Sequence, residues 1–235
     1  MATIVQPQPR VALHVALPVD PPIQRFLLSG ITWDRYEAVL QAIGDRAIRV
    51  TYDRGSLELM SPSAAHEEFG QLFGLAIQAL AEELGFPCRG LKSTTWRRAL
   101  VERGIEADEC FYLASLGRVL GKRSIDLDRD PPPDLAIEIE VGRDALDRLG
   151  IYAALGIPEV WRFDGETLRA LQLQTDSTYA ERDRSPALPF VPLFELSRFV
   201  QKGAGADHAS WGRQFRAWVR DVILPDYRPL DRLAD

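Results

Sequence analysis

The chain has 235 residues, 46% hydrophobic and 26% charged, with a formal net charge of −6. That length allows one sizeable α/β domain, the composition is that of a globular chain, and no apolar run reaches membrane-spanning length. The acidic balance excludes a generally basic nucleic-acid-binding surface, and Cys88 and Cys110 have neither metal-ligand spacing nor a disulfide framework.

Residues 1–24 are rich in proline and aperiodic, and read as a flexible arm. Their apolar stretch 11–19 is broken by His14 and Pro18, so it is not read as a signal peptide and the expected compartment is the cytoplasm. Residues 25–200 read as the main domain, and 201–235 as a C-terminal helix and tail packed on it. Thr32 is placed to cap a helix over Trp33–Ile43. Ile48–Tyr52 and Ser56–Met60 flank the turn signal Asp53-Arg54-Gly55 and predict a hairpin. Ser61-Pro62-Ser63 opens a helix over Ala64–Leu84 that Gly85 stops, with Phe69, Leu72, Phe73, Ala76, Leu80 and Leu84 at core spacing.

Leu91–Arg98 reads as a strand with a basic end. Residues 89–123 hold eight basic residues against four acidic ones, a patch that suits phosphates or an ordinary mixed surface equally. Two strand-like stretches with acids on one face follow, Glu106–Leu113 and Asp134–Val141. In the second, Leu135, Ile137, Ile139 and Val141 share one face and Asp134, Ala136, Glu138 and Glu140 the other; in the first, Glu106 and Asp108 share a face. The polar loop 121–133 ends in three prolines and launches the second stretch. Asp144–Leu155 predicts a helix closed by Gly156 and Pro158. Strands over Glu159–Asp164, Thr167–Gln174 and Tyr179–Arg182 come next, then helices over Phe194–Phe199 and Ser210–Ile223 and an irregular tail 225–235. The whole is a mixed α/β (α+β) pattern.

Stacked carboxylates repel unless water or a cation compensates, and hard cations such as Mg²⁺ or Mn²⁺ take such oxygen ligands. Asp108 and Glu138 are therefore candidate metal ligands if their strands are adjacent, with Glu140 as a further or outer acid and Glu58 as a weaker candidate. Arg148, on the following helix, is a candidate source of positive charge for a phosphate. The plain alternatives are a half-buried strand with a solvated outer face, a solvated hairpin position for Glu58 and a solvated helix arginine for Arg148. Tyr152 and Trp161 read as core, and the histidines as too scattered for a zinc site.

The segments SLELMSP (56–62) with His66-Glu67, GIEADECFYL (104–113), DPPPDLAIEIEV (130–141) and above all IYAALGIPEVWRFDG (151–165) resemble the Uma-two family of bacterial endonucleases, itself similar to the PD-(D/E)XK restriction-endonuclease-like superfamily. The resemblance runs from about Trp33 to Tyr179. It implies a restriction-endonuclease-like core, a central mixed sheet flanked by helices, and Mg²⁺- or Mn²⁺-dependent cleavage of DNA. It places Asp108 as the first acid, with Ala107 where the pattern has proline, and Glu138 as the acid of the (D/E)XK element. Glu140 stands where the wider superfamily has lysine, and Arg148 where these relatives supply lysine from the helix. Arginine keeps the charge but does not give up its proton. DNA is the implied partner, no membrane is expected, and a homodimer stays open. A degenerate nuclease fold serving as a nucleic-acid or protein-binding module is the rival reading, and a structural homo-oligomer with a solvated acidic face the third.

Overall fold

A computed structural model describes residues 23–140 and 145–228. Most of the N-terminal arm (residues 1–22, with His14), Val141 and Asp144 at the expected strand and helix ends, and tail residues 229–235 lie outside them. The chain order is β1 (Gln24–Ser29), α1 (Trp33–Ile43), β2 (Arg49–Asp53), β3 (Ser56–Ser61), α2 (Ala64–Leu84), β4 (Arg89–Gly90), β5 (Thr95–Arg98), β6 (Arg103–Glu106), β7 (Glu109–Tyr112), β8 (Leu135–Ile139), α3 (Arg148–Leu155), β9 (Glu159–Phe163), β10 (Leu168–Leu173), β11 (Tyr179–Arg182), α4 (Leu193–Gly203) and α5 (His208–Trp218). A π-helical turn over Val219–Ile223 extends α5.

The strands form two sheets. One is five-stranded and antiparallel, in the order β1-β3-β2-β6-β5; the other is six-stranded, in the order β11-β10-β9-β8-β7-β4. The second is mixed, because β8 and β9 run parallel across α3 while its other pairs are antiparallel. The expected mixed sheet is this one; of its five-stranded partner the sequence pattern announces the β2–β3 hairpin and β5, but not a separate sheet.

Local chemistry sets the element ends. The β2–β3 hairpin turns through Arg54 and Gly55, both at positive φ (43° and 98°), the geometry of a two-residue hairpin loop. Ser63 caps α2 by accepting from the His66 amide at 3.2 Å, and Gly85 closes it at φ 73°. Gly156 closes α3 in the same left-handed conformation.

The face of β8 carrying Leu135, Ile137 and Ile139 packs in one core cluster with α2 residues Leu72, Phe73, Ala76, Ile77 and Leu80 and with residues of α4 and α5. Ala136, on its other face, packs with Ile151, Tyr152 and Leu155 of α3 and with Trp96 and Ile105 of the five-stranded sheet. β8 is therefore buried on both faces, and its one acid, Glu138, is not solvated. On the five-stranded sheet, α1 docks through Tyr36, whose ring stacks on Tyr52 at 4.7 Å between centroids, with Trp33 edge-on to both.

Several boundaries differ from expectation. The first acidic stretch is two strands in two sheets, broken at Ala107-Asp108, so Glu106 and Asp108 do not share a strand face. Only Thr95–Arg98 of the expected 91–98 strand pairs at length, α3 starts at Arg148, and the last two helices cover Leu193–Gly203 and His208–Trp218. Gln24, assigned to the arm, begins β1.

Candidate active site

The break between β6 and β7 carries the chain from one sheet to the other, and Asp108 sits in the crossing. Its amide donates to the Ile137 carbonyl at 3.2 Å, and its Oδ2 accepts from the Ile139 amide at 2.8 Å. These two bonds bracket Glu138 on β8. Asp108 is thus fixed beside Glu138, on the neighbouring strand connection.

Around Asp108 stand two residues with no role assigned from the sequence. His66, in the first turn of α2, brings Nε2 to 3.4 Å from Oδ2, and Arg49 of β2 brings Nε to 3.7 Å from Oδ1. Neither distance makes a firm hydrogen bond. Asp108 Oδ1, Arg49 Nε and His66 Nδ1 are buried atoms with no hydrogen-bond partner. Burial, and after it the Glu138 charge, pushes the Asp108 carboxyl well above the ordinary carboxylate range, against the pull of Arg148 and Arg49. Burial pushes the His66 imidazole down to about 4, with Arg49 and Arg148 adding to it, so the ring is neutral near pH 7. Glu109, next in the chain, is buried against Gly74 of α2, and burial raises it to about 7 while Lys92 and Arg49 pull it down. A cleft of about 230 Å³ opens here, lined by Arg49, His66, Glu67, Lys92, Asp108 and Glu109 among others.

Glu138 is held from the other side. Arg148 and Tyr152 stand four residues apart on α3, and so on one helix face. Arg148 places Nε at 2.7 Å from Glu138 Oε2, and the Tyr152 hydroxyl donates a hydrogen bond to Oε1. The rest of the guanidinium donates to Thr51 Oγ1 at 3.0 Å and to the Glu106 carbonyl at 3.1 Å, and lies 3.8 Å from Glu58 Oε1. Burial works to lower the Arg148 pKa, but Glu138 and its neighbours hold it well above the ordinary value, so the side chain is a permanently charged, buried cation. Neither solvated alternative survives: Arg148 is buried and Glu58 is 1% exposed. Glu58 accepts from Arg25 at 3.3 Å and from the Ala145 amide at 3.2 Å. Tyr152 is core, as expected, and it is also a ligand of Glu138. The i,i+4 spacing to Arg148 was the sequence signal for that role.

Glu140 lies just beyond β8, ion-paired with Arg162 of β9. It lines a smaller cleft of about 150 Å³ with Glu138, Asp147, Arg148, Tyr152 and Arg162. The expected site residues are therefore together in one charged cluster that two clefts enter, Asp108 facing one and Glu138, Glu140 and Arg148 the other. Glu58 touches the cluster through Arg148.

The donor set fits a hard cation in part. Asp108 offers a bare, buried carboxylate oxygen, and Glu138 is beside it. Both Glu138 oxygens, however, are taken by donors from α3. Among the described residues no three His, Cys, Asp or Glu side chains converge as a ready-made metal site. No helix of the described residues is long and apolar enough to cross a membrane.

No curated protein matches the chain. Among solved structures, a protein titled a "putative nuclease belonging to DUF820" from Anabaena variabilis ATCC 29413 is 14% identical, with a TM-score of 0.49, over 77% of this chain and 99% of that one. The Uma2 (Uma-two) family model, described as "Putative restriction endonuclease", matches residues 33–203, most of the chain that carries both sheets, the buried acids and α3, and the chain belongs to that family.

Proposed function

We propose that the chain is a metal-dependent endonuclease that hydrolyses DNA phosphodiester bonds, with Mg²⁺ or Mn²⁺ held by Asp108 and Glu138. The observation that carries this reading is the bare oxygen of buried Asp108, fixed beside Glu138 and facing a cleft. A buried carboxylate oxygen without a donor is costly to keep unless something charged completes it. A divalent ion there would polarise a phosphoryl oxygen and lower the pKa of a bound water. The chain's own part is positioning. The Ile139 amide orients Asp108, Arg148 orients Glu138, and Arg49 and Lys92 present positive charge at the Asp108 cleft. Glu58 and Glu140 act as supporting acids that hold Arg148 and Arg162.

A second reading, the catalytically degenerate fold that binds nucleic acid or protein without cutting, is favoured by the saturation of Glu138. Plasmid nicking in Mg²⁺ and in Mn²⁺ separates the two. Wild type should nick, and Asp108→Asn and Glu138→Ala should lose at least about 10²-fold, the scale of removing one element of transition-state stabilisation. Arg148→Lys keeps the charge but releases the guanidinium's hold on Glu138 Oε2, and should retain or raise the rate. If wild type and all variants are equally inert while wild type binds Mn²⁺, the hydrolase reading fails and the degenerate one replaces it.

A further inference from the structure

The Asp108 cleft by itself offers a phosphate little net attraction. Glu67, Asp108 and Glu109 line it with Arg49 and Lys92, and Arg49 is already paired with Glu67 at 2.8 Å. A polyanion needs attraction from elsewhere to lie there, and one loop supplies the connection. Lys92 and Ser93, between β4 and β5, line the Asp108 cleft; Leu91 and Thr94, on either side of them, line a second, larger cleft of about 520 Å³. That volume is within the range of about 300–1,000 Å³ typical of ligand clefts.

The loop is rigidly held at this divide. The Leu91 amide donates to the Cys110 carbonyl at 3.0 Å, Thr94 Oγ1 to the Leu91 carbonyl at 2.7 Å, and Cys110 Sγ to the Lys92 carbonyl at 3.2 Å. Lys92 itself adopts φ 49°, a left-handed conformation that side chains seldom take. The larger cleft is basic: Arg89, Arg97 and Arg123 line it against a single acid, Asp126. Arg89 is held by the neutral carbonyls of Val119 and Lys122, both at 2.8 Å, so no carboxylate cancels its charge there. Arg97 is half-exposed at 3.5 Å from Glu37, and Arg123 is exposed.

We propose that this basic cleft carries the phosphates flanking the bond to be cut: a DNA strand crosses the 91–94 loop, its backbone met by Arg123, Arg97 and Arg89, and reaches Asp108 past Lys92. The proposal rests on the nuclease reading and gives the substrate its path. It also gives a use to the basic segment 89–123 in a chain of net charge −6. Backbone phosphates are what such a cleft recognises, and attraction to them falls with salt as counterions are released.

The test is binding of short fluorescein-labelled single- and double-stranded DNA in EDTA, where no hydrolysis consumes the probe, over a salt series. The full chain is compared with Lys92→Gln/Arg123→Ala and with Arg184→Ala, a change just beyond β11, on the opposite edge of the six-stranded sheet from β4. The double variant should bind on the order of tenfold more weakly at low salt. The slope of log K against log salt should shrink by about 0.7–0.9 for each phosphate the variant no longer neutralises. Arg184→Ala should match wild type. If the double variant melts early, Arg123→Ala alone decides, since that side chain is exposed. Unchanged affinity and slope in a variant that still folds overturn the proposal, and if wild type nicks plasmid at the same time the nuclease reading stands without this path. A wild type that neither binds nor nicks DNA removes both.

Discussion

Glu109 sits where burial and charge disagree most openly. Its carboxyl is 5% exposed, lies against Gly74 and has burial driving its pKa up to about 7. Between the unfolded value near 4.5 and about 7, the unfolded chain has released this proton and the folded chain still holds it, so stability falls as pH rises through that window. Asp108, also raised, adds to the fall. His66 works the other way. Its folded value of about 4 lies below the ordinary 6.5, so the unfolded chain takes up a proton first and stability is lost as pH drops from 6.5 toward 4. Glu109 and Asp108 together outweigh His66 in wild type. Glu109→Gln removes one of the two falling contributions and leaves Asp108 and His66 to oppose each other. Its melting temperature should therefore fall less than wild type's between pH 4.5 and 7, and at pH 8 it should exceed wild type by on the order of 1–3 kcal/mol of stability. Parallel melting curves for the two proteins across that range would show that Glu109 is solvated. At this scale the sequence was informative about acids and uninformative about their partners. Asp108, Glu138 and Arg148 were singled out from the acidic pattern and the family resemblance, although alternation put Asp108 on one face with Glu106 and the fold does not. His66 and Arg49 were not, because they come from α2 and β2, and only the tertiary fold brings these elements to the β6–β7 break.

The elements owe their placing to a few close approaches. Gly104 of β6 lies under the Tyr36 ring, where an added Cβ would stand 2.1 Å from the hydroxyl oxygen and 2.7 Å from Cζ. α1 can dock at this distance only because the residue there has no side chain. Gly104→Ala should therefore cost about 1–3 kcal/mol, as overpacking does. The Tyr36 hydroxyl is buried and has no hydrogen-bond partner, so Tyr36→Phe should be neutral or stabilising. In combination Tyr36→Phe should recover part of the Gly104→Ala loss, since the nearest atom is gone while Cζ remains. Urea unfolding of the four proteins gives the coupling energy, and strictly additive losses would mean that α1 shifts aside instead. Hairpins, long helices and the α3 crossover were readable from period and punctuation. The division of Glu106–Leu113 between two sheets was not. Its alternation continues across the break, and the break is imposed by two sheets that each need a strand there. The solvated outer face expected for β8 failed for the same reason: nothing local in the sequence announces a second sheet layered over the first through α3.

For the whole molecule, the two sheets and α3 enclose a charged cluster whose charges are balanced unequally. Glu138 is satisfied by Arg148 and Tyr152, whereas Asp108 keeps one oxygen bare. Metal linkage should therefore be asymmetric. A cation that binds only the folded chain stabilises it by about 2.7 kcal/mol at a hundredfold excess over Kd, which for a chain of this size raises the melting temperature by roughly 5–10 °C. Asp108→Asn should abolish most of that Mn²⁺ increment. Its metal-free melting temperature should stay level or rise, because the amide removes a carboxyl whose charged form burial and Glu138 both disfavour. Glu138→Gln should instead melt early without metal, by as much as about 3–5 kcal/mol, because it leaves the buried Arg148 cation without its carboxylate. Tyr152→Phe releases one Glu138 oxygen without disturbing the guanidinium. It should lower metal-free stability slightly and enlarge the Mn²⁺ increment, since the hydroxyl and the cation compete for the same oxygen. Differential scanning calorimetry with and without Mn²⁺ reads all three. An Asp108→Asn protein with the full wild-type Mn²⁺ shift would place the metal away from this cluster, and a Tyr152→Phe protein with a diminished one would mean that the tyrosine positions Glu138 for the cation and does not compete with it.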